Sequence, residues 1–366
     1  MRYFKTLPLA LLLAVGLPHA SAQAVVEWQL TDDAVSLGMN GASPHVEKTA
    51  SGDRVFRSDM VPSGTAVSMC TDAGTCTSET LTVSGGGVSD YTVAIATSGP
   101  RAYFKRVDPA TNKQAVYSAA CNTSDCLSFG AITLTSTAMQ VARDAKAWGV
   151  PDAVRLPDGR IRIYIVEKED SATKKEDSAT KGGSCPEKIA SYISGDGVSF
   201  SKEPGWRLEG GYVDSEILRA KDGEWVMIMA DGPGCTTSTG ASKVQQLFVS
   251  TSTDGLAWAK PQVLTKTDIG RLDPTGYEVS PNVFRIYYAA GGSGAFDPNT
   301  VYSIKRATMR IADTTKGGDV GVTKTPAAKA KAKAKGKAKT KAITCVKGKT
   351  VKKFTAARCP KGWKKK

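Results

Sequence analysis

Apolar and polar residues alternate along this chain in short runs, and the runs come in pairs joined by turn residues. Pro157-Asp158-Gly159 separates one such pair, and Asp222-Gly223 separates another. Gly in these turns accepts the positive φ that tight hairpins need, and the runs that follow, Ile161–Val166 and Trp225–Met229, are rich in strand-forming residues. The pattern therefore predicts antiparallel β-hairpins.

The paired runs recur at near-constant spacing, and an acidic residue opens most copies. The copies begin at Asp90, Asp152, Asp214 and Asp273, with successive gaps of 62, 62 and 59 residues. A weaker copy begins at Ser43, 47 residues before Asp90. A self-similar period of about 50 residues is typical of propellers and other repeat arrays.

A second marker occupies the later half of three copies, in Thr123–Phe129, Ser194–Phe200 and Ser252–Trp258. Each combines a Ser/Thr and Asp turn with a following aromatic ring, which fits a tight turn packed over that ring. Each unit then has four strands, and five units fit residues 43–312. The strand-like run Val26–Leu30 could join the last blade and remove the free sheet edges. We expect an all-β, five-bladed β-propeller with a disordered basic C-terminal extension; a β-sandwich or β-helix is the alternative.

The two ends of the chain differ in composition from its body. Residues 1–22 have a basic start, an apolar stretch and a small-residue cleavage site, which predicts a signal peptide, and no other segment looks long enough to span a membrane. We assign residues 23–312 to the propeller, 313–342 to a Gly/Thr-rich and then Ala/Lys-rich linker, and 343–366 to a short basic tail. The net charge is +14, but residues 324–366 hold +17 and the signal +2, which leaves the body at −5.

The eight cysteines favour disulfides in an exported protein. Close spacing pairs Cys70 with Cys76, Cys121 with Cys126 and Cys345 with Cys359. Cys185 and Cys235 remain for a fourth bridge, between matching loops of two units. A metal site is the weaker alternative, because no pair has C-x-x-C spacing and the mature chain has one histidine.

The leading acids are the candidate chemistry. In a propeller the innermost strands line a central funnel, so Asp90, Asp152, Asp214 and Asp273 are expected to converge there with Glu216 close by. Crowded carboxyls push one another's pKa values apart, so that one stays protonated while another is ionised. Glycoside hydrolysis needs such an acid and base. An Asp that opens a strand can instead cap a turn, which is the competing interpretation, above all for Asp273.

Two further residues are candidates for substrate contact at the funnel. Trp148, just before the third unit, could be a platform on which a sugar stacks, and His45 could bind substrate or simply pack in the channel. We expect no cofactor; a calcium ion held by funnel carboxylates is chemically plausible, but the spacing does not imply it.

These blade phrases and the Ser-x-Asp-Gly hairpins at 194–200 and 252–258 resemble the five-bladed furanosidase-type glycoside hydrolases, the arabinanase, xylosidase and fructosidase superfamily. The resemblance spans about residues 40–312. It implies a first-blade Asp as base or nucleophile, a middle-blade Asp that orients, and a later-blade Glu as acid. Asp152 matches the middle role and Glu216 or Asp214 the acid, whereas Ser43 stands at the first-blade position and Asp90 would have to substitute from the second blade.

The tail, 343–366, resembles short basic C-terminal modules of secreted actinobacterial proteins, which implies adhesion to an anionic cell-wall polymer; a solvated tail that aids solubility is the alternative. The sequence therefore predicts a secreted or cell-wall-associated monomer that is glycoside-hydrolase-like and acts on or binds a glycan. A non-catalytic glycan-binding propeller and a surface scaffold anchored by the tail remain alternatives. Export argues against nucleic acid as a physiological partner.

Overall fold

A computed structural model gives the structure of the protein. It describes residues 26–60, 63–83, 87–143, 148–168, 187–220, 223–232, 243–292, 299–312, 343–347, 350–354 and 364–365. The chain divides into two units, Met1–Thr314 and Thr315–Lys366. In the described part the structure is β-sheet with one short 3₁₀ turn, Thr137–Met139, whose N-terminus is capped by the Ser136 hydroxyl. No helix in this part of the chain has the length and apolarity needed to cross a bilayer.

The first unit is a five-bladed β-propeller, as the repeat predicted. Its strands are β1 (Trp28–Asp32), β2 (Ala42–Lys48), β3 (Asp53–Met60), β4 (Ser63–Cys70), β5 (Cys76–Glu79), β6 (Ser89–Ala96), β7 (Gly99–Val107), β8 (Lys113–Ala120), β9 (Thr133–Leu134), β10 (Val141–Ala142), β11 (Gly149–Arg155), β12 (Ile161–Lys168), β13 (Glu187–Ser194), β14 (Ser201–Lys202), β15 (Tyr212–Arg219), β16 (Trp225–Asp231), β17 (Leu247–Ser252), β18 (Gln262–Val263), β19 (Gly270–Ser280), β20 (Val283–Gly291) and β21 (Ser303–Ile311). From the inside outward, the sheets are β2-β3-β4-β5, β6-β7-β8 with β9 and β10, β11-β12-β13-β14, β15-β16-β17-β18 and β19-β20-β21-β1.

The N-terminal strand closes the ring, as predicted from Val26–Leu30. β1 pairs antiparallel with β21, from Trp28 opposite Ile311 to Asp32 opposite Ala307. The first strand of the chain thus completes the last blade, so that blade 5 joins the two ends of the propeller and does not leave β21 as an open edge.

Two devices, an Asp turn and a disulfide, hold the outer hairpins of blades 1 to 4. Blades 3 and 4 carry Asp turns, in which the Asp196 and Asp254 carboxylates each accept two backbone N–H groups. Blades 1 and 2 carry disulfides near the same place, Cys70–Cys76 and Cys121–Cys126. Both bridges were predicted. The other two predicted bridges, Cys185–Cys235 and Cys345–Cys359, lie outside the residues whose side chains the structure describes.

The Asp turns also join neighbouring blades. The Tyr103 hydroxyl of blade 2 donates to the Gly197 carbonyl of blade 3 at 2.8 Å, and the Tyr164 hydroxyl of blade 3 donates to Gly255 of blade 4 at 2.7 Å. Gly255 has φ +71, and an added Cβ would come within 2.7 Å of the Tyr164 oxygen. Glycine at this position therefore provides both the turn and the space for the tyrosine.

In the second unit, the described residues form three short strands: β22 (Ile343–Lys347), β23 (Thr350–Phe354) and β24 (Lys364–Lys365). They form an antiparallel sheet in the order β23-β22-β24. The predicted signal peptide, residues 1–22, and the Ala/Lys-rich spacer lie outside the described residues, so both stay predictions.

Candidate active site

Each innermost strand begins with a β-bulge, and one residue in each bulge has positive φ. We call these five residues the first ring: Ser43 (φ 44), Asp90 (φ 51), Val150 (φ 45), Asp214 (φ 54) and Asp273 (φ 50). Non-glycine residues adopt this conformation at a cost, and a β-branched valine does so very rarely. Because positive φ recurs at this position in all five blades, the fold itself imposes this backbone conformation on the first ring.

The residue two positions later in each strand forms the second ring: His45, Thr92, Asp152, Glu216 and Thr275. This corrects the predicted register. Asp152 is equivalent to Glu216, not to Asp90, Asp214 and Asp273, and Val150 holds the first-ring position of blade 3. The described acids therefore form two groups at different positions along the innermost strands.

Residues from all five blades line one small cavity on the inner strands: Ser43, Pro44, His45, Asp90, Tyr91, Thr92, Val150, Pro151, Asp214, Ser215, Glu216, Asp273 and Pro274. Its volume is about 20 Å³, which is room for one water molecule. We call this cavity and the two rings the funnel. A sugar ring is too large for the cavity itself, so a glycan would have to contact the funnel from its mouth.

In the first ring, Asp214 and Asp273 form a hydrogen-bonded carboxyl pair. Burial, with the negative charges of Asp273 and Asp90, raises the pKa of Asp214 well above its usual value. Burial also raises the pKa of Asp273 to about 6, although hydrogen bonds from Asp214 and from the Ser43 N–H, at 2.8 Å, oppose this. The pair therefore holds a shared proton near neutral pH, with Asp214 as its donor.

In the second ring, Asp152 and Glu216 form another such pair. Burial raises the pKa of Asp152 to about 7, against hydrogen bonds from the Ile217 N–H at 2.7 Å and from Thr92 at 3.4 Å. Burial and the charge of Asp152 raise the pKa of Glu216 well above its usual value, although the Thr275 hydroxyl donates to it at 2.8 Å. Within this pair Glu216 is thus the donor, and it holds its proton more tightly than an exposed Glu does.

The third carboxylate of the first ring has a different partner. The Lys105 ammonium, on β7, forms an ion pair with Asp90 Oδ2. The Lys105 side chain is 26% exposed and that of Asp90 only 5%, so the lysine lies between the ring and solvent. Asp90 is therefore paired with a cation, whereas the other two acids of the ring, Asp214 and Asp273, share a proton.

His45 is buried, and neither ring nitrogen has a hydrogen-bond partner in the structure. Phe56 and Tyr91 pack near its ring, with centroids 6.0 and 6.2 Å away. Burial lowers the pKa of His45 to about 4, so that the imidazole is neutral at physiological pH. It lies where the sequence placed it, at the funnel, and whether it contacts substrate stays a prediction.

Two expectations about individual residues need correction. Trp148 is only 9% exposed and packs among core residues that include Met139 and Ala153, so its ring is not an open platform for a sugar. Asp273 does not cap its own turn: its carboxylate accepts the N–H of Ser43 and so links blade 5 to blade 1. Within the described residues, no group of three or more ligating side chains is arranged to hold a metal ion.

The sequence interpretation missed Lys105 and the two-residue offset in blade 3. A signal for the offset was present, because Pro44, Pro151 and Pro274 all stand directly after the first-ring residue. Alignment on these prolines would have matched Asp152 with His45 and Thr275. Lys105 gave no signal, because strand pairing brings it opposite Ser89, the residue before Asp90.

Neither a protein-family model nor a curated protein matches this chain. Solved structures do match. An N-acetylgalactosamine deacetylase from F. plautii, in complex with blood group B trisaccharide, aligns with a TM-score of 0.54 and 12% identity over 76% of this chain and 95% of that chain. A thermostable family-43 glycoside hydrolase aligns with a TM-score of 0.50 and 12% identity, over 82% of this chain and 100% of that one.

The α-L-arabinofuranosidase from Podospora anserina, in complex with cellotriose, aligns with a TM-score of 0.50 and 8% identity over 78% of this chain and 97% of that chain. At these identities the likeness shows the fold alone. The first unit is thus a five-bladed propeller of the architecture found in the furanosidase-type glycoside hydrolases, and the resemblance seen in the sequence is confirmed at that level.

Proposed function

We propose that this protein is an exported, carbohydrate-active propeller that hydrolyses a glycosidic bond at the mouth of its acidic funnel. The observation that carries the proposal is the pairing of carboxyls from different blades. Asp152 with Glu216 and Asp214 with Asp273 keep protons near neutral pH, while Asp90 is ion-paired beside them. General acid–base catalysis needs one carboxyl that donates a proton and another that accepts one.

The geometry favours particular roles. Glu216 lines the cavity and its pKa is raised well above its usual value, so it is the candidate acid for the leaving oxygen. Asp152 does not line the cavity; it accepts from Thr92 and Ile217 and would tune and orient Glu216. Asp90 is the candidate base or nucleophile, supplied from blade 2 because blade 1 offers Ser43.

The acid and the base cannot both come from one hydrogen-bonded pair. Retaining enzymes separate the two carboxyls by about 5–5.5 Å and inverting enzymes by about 6.5–9.5 Å. Carboxyls in hydrogen-bond contact are closer than either spacing. The reacting pair would therefore combine Glu216 of the second ring with an acid of the first ring.

A non-catalytic glycan-binding propeller is the second candidate. Two observations favour it: blade 1 places Ser43 where a carboxylate was expected, and the cavity has room for one water molecule only. For the hydrolase and for the binding propeller alike, we propose that the basic tail anchors the protein to an anionic cell-wall polymer.

The test is turnover of a panel of aryl furanosides and pyranosides by the mature protein. We expect hydrolysis of at least one class, and a loss of more than about 100-fold in kcat for Glu216→Gln, because the general acid is removed. Asp158→Asn is the matched control, since this exposed carboxylate lies in the β11–β12 turn. Absence of turnover, with glycan binding that depends on the same funnel residues, would replace the enzyme with the binding module.

A further inference from the structure

Lys105 is the one cation that the described residues bring to the first ring, and the fold makes room for it. It lies on β7 opposite Ser89, and its side chain passes the backbone of Gly149 on β11. A Cβ added to Gly149 would stand 3.0 Å from Lys105 Cδ and 3.5 Å from its Nζ, and Gly149 has φ +116. A Cβ at position 149 would crowd the lysine side chain, and residues with a side chain rarely adopt this φ.

The ammonium faces acids from three blades. It forms the ion pair with Asp90 on β6, and its charge also acts on Asp214 of β15 and Asp273 of β19. The two first-ring positions that flank Asp90, Ser43 and Val150, carry no charge, and His45 of β2 is neutral at physiological pH. The placement of one cation beside one of three acids makes the ring electrostatically asymmetric.

We propose that Lys105 is a positioning residue: its ammonium is held against Asp90, sets that carboxylate apart from the Asp214–Asp273 pair, and leaves the pair to share the first ring's proton. An ammonium in contact with a carboxylate favours its charged form, and two carboxyls in contact with each other cannot both ionise. The lysine therefore determines which of the three acids is the available carboxylate. This inference deepens the proposed function, and its expected effect on the kinetics rests on that function. Its main measurement, a pH titration of the carboxyls, needs no substrate.

The charge of Lys105 lowers the pKa of Asp214 and of Asp273, whereas the charge of Asp90 raises both. Removal of the ammonium and removal of the Asp90 carboxylate must therefore shift the titration of the pair in opposite directions. If Lys105 had a purely structural role, these two variants would not shift the pKa values of the pair in opposite directions.

The experiment is a pH titration of the full mature protein labelled with ¹³C at the aspartate carboxyls, followed by NMR, with the Asp273 signal assigned from Asp273→Asn. We expect the Asp273 midpoint, about 6 in the native protein, to rise by about one pH unit in Lys105→Met. Lys105→Arg should restore it, because the charge returns. Lys113→Met, which removes an exposed lysine from β8 of the same blade, should leave it unchanged.

Asp90→Asn is the second variant, and it remains informative if Lys105→Met does not fold. In Asp90→Asn the Asp273 midpoint should fall by a similar amount. An Asp273 midpoint that is unchanged in folded Lys105→Met, or that rises in Asp90→Asn, overturns the inference. If the proposed hydrolysis is found, the acidic limb of its pH profile should change in Lys105→Met and recover in Lys105→Arg. If no hydrolysis is found but the titrations behave as expected, the proposed function fails and the assignment of Lys105 stands.

Discussion

The Asp53 carboxylate links blade 1 to blade 5, and removal of its charge is the clearest test of how the ring is closed. Its side chain is 1% exposed and accepts hydrogen bonds from Tyr277 at 2.5 Å, Tyr287 at 2.6 Å and Arg285 at 3.1 Å, all in blade 5. Lys48 of its own blade adds an ion pair at 3.2 Å. Asp53→Asn removes the charge that these donors face.

The magnitude follows from the burial of these groups. Breaking a buried ion pair by removing one partner costs about 3–5 kcal/mol. Arg285 is 24% exposed and can recover some hydration, so we expect the lower end, about 3 kcal/mol. At about 2–4 °C per kcal/mol this is a fall in Tm of about 6–12 °C. Asp72→Asn removes the other carboxylate bound by Arg285, but Asp72 is 77% exposed, so its loss should cost under about 1 kcal/mol.

The assay is thermal unfolding followed by tryptophan fluorescence, at pH 7 and in acid. Burial raises the pKa of Asp53, but the hydrogen bonds from Tyr277, Tyr287, Arg285 and Lys48 outweigh it and leave the pKa below its usual 3.8. A carboxyl with a lowered folded pKa contributes fully above its unfolded pKa and loses that contribution as pH falls through the folded value. The gap between wild type and Asp53→Asn should therefore narrow in acid. Equal Tm values for Asp53→Asn and Asp72→Asn at pH 7 would refute this account of ring closure.

The other predictions concern the funnel and the contacts between blades. Because the folded pKa of Asp152 is raised to about 7, the folded state binds its proton more tightly than the unfolded one, and stability falls as pH rises from about 4 to 7. Asp152→Asn should thus lose less stability than wild type over this range in urea titrations; an identical loss would contradict the assignment. Tyr164→Phe removes the hydroxyl that donates to Gly255 at 2.7 Å and should cost about 1 kcal/mol in urea unfolding; no measurable cost would remove that contact from the account. Gly149→Ala puts a Cβ 3.0 Å from Lys105 Cδ at φ +116 and should cost at least about 1 kcal/mol in the same assay, whereas a stabilised variant would show that the path of the lysine is not constrained.

The fold could be predicted because the sequence pattern that forms each blade is repeated along the chain. Turn residues such as Pro157-Asp158-Gly159 and alternating apolar runs act locally, and five copies of one pattern identify a propeller. The closing strand could be predicted because the run Val26–Leu30 stands before the first copy as a spare strand, and the structure pairs Trp28–Asp32 with β21. The disulfides Cys70–Cys76 and Cys121–Cys126 could be predicted because the two cysteines of each pair are only 6 and 5 residues apart.

The arrangement of the site was predicted less well, because it depends on contacts between distant parts of the chain. Blade 3 has Val150 at the position where blades 2, 4 and 5 have an acid, and its own acid stands two residues later, so an alignment on acids misplaced Asp152 by two residues. Trp148 became a core residue through packing with Met139 and Ala153, which no local pattern shows. Lys105 reaches Asp90 across a strand pair, so its role depends on register.

The central claim is that the acids of the two rings act together on a glycan at the funnel. The most direct test measures binding and cleavage on one glycan array, for the wild-type protein and for the Asp152→Asn/Glu216→Gln double variant. We predict that wild type binds or cleaves at least one class of glycan and that the folded double variant loses this response. A response that survives in the double variant, or a wild type that neither binds nor cleaves any glycan, would contradict the claim.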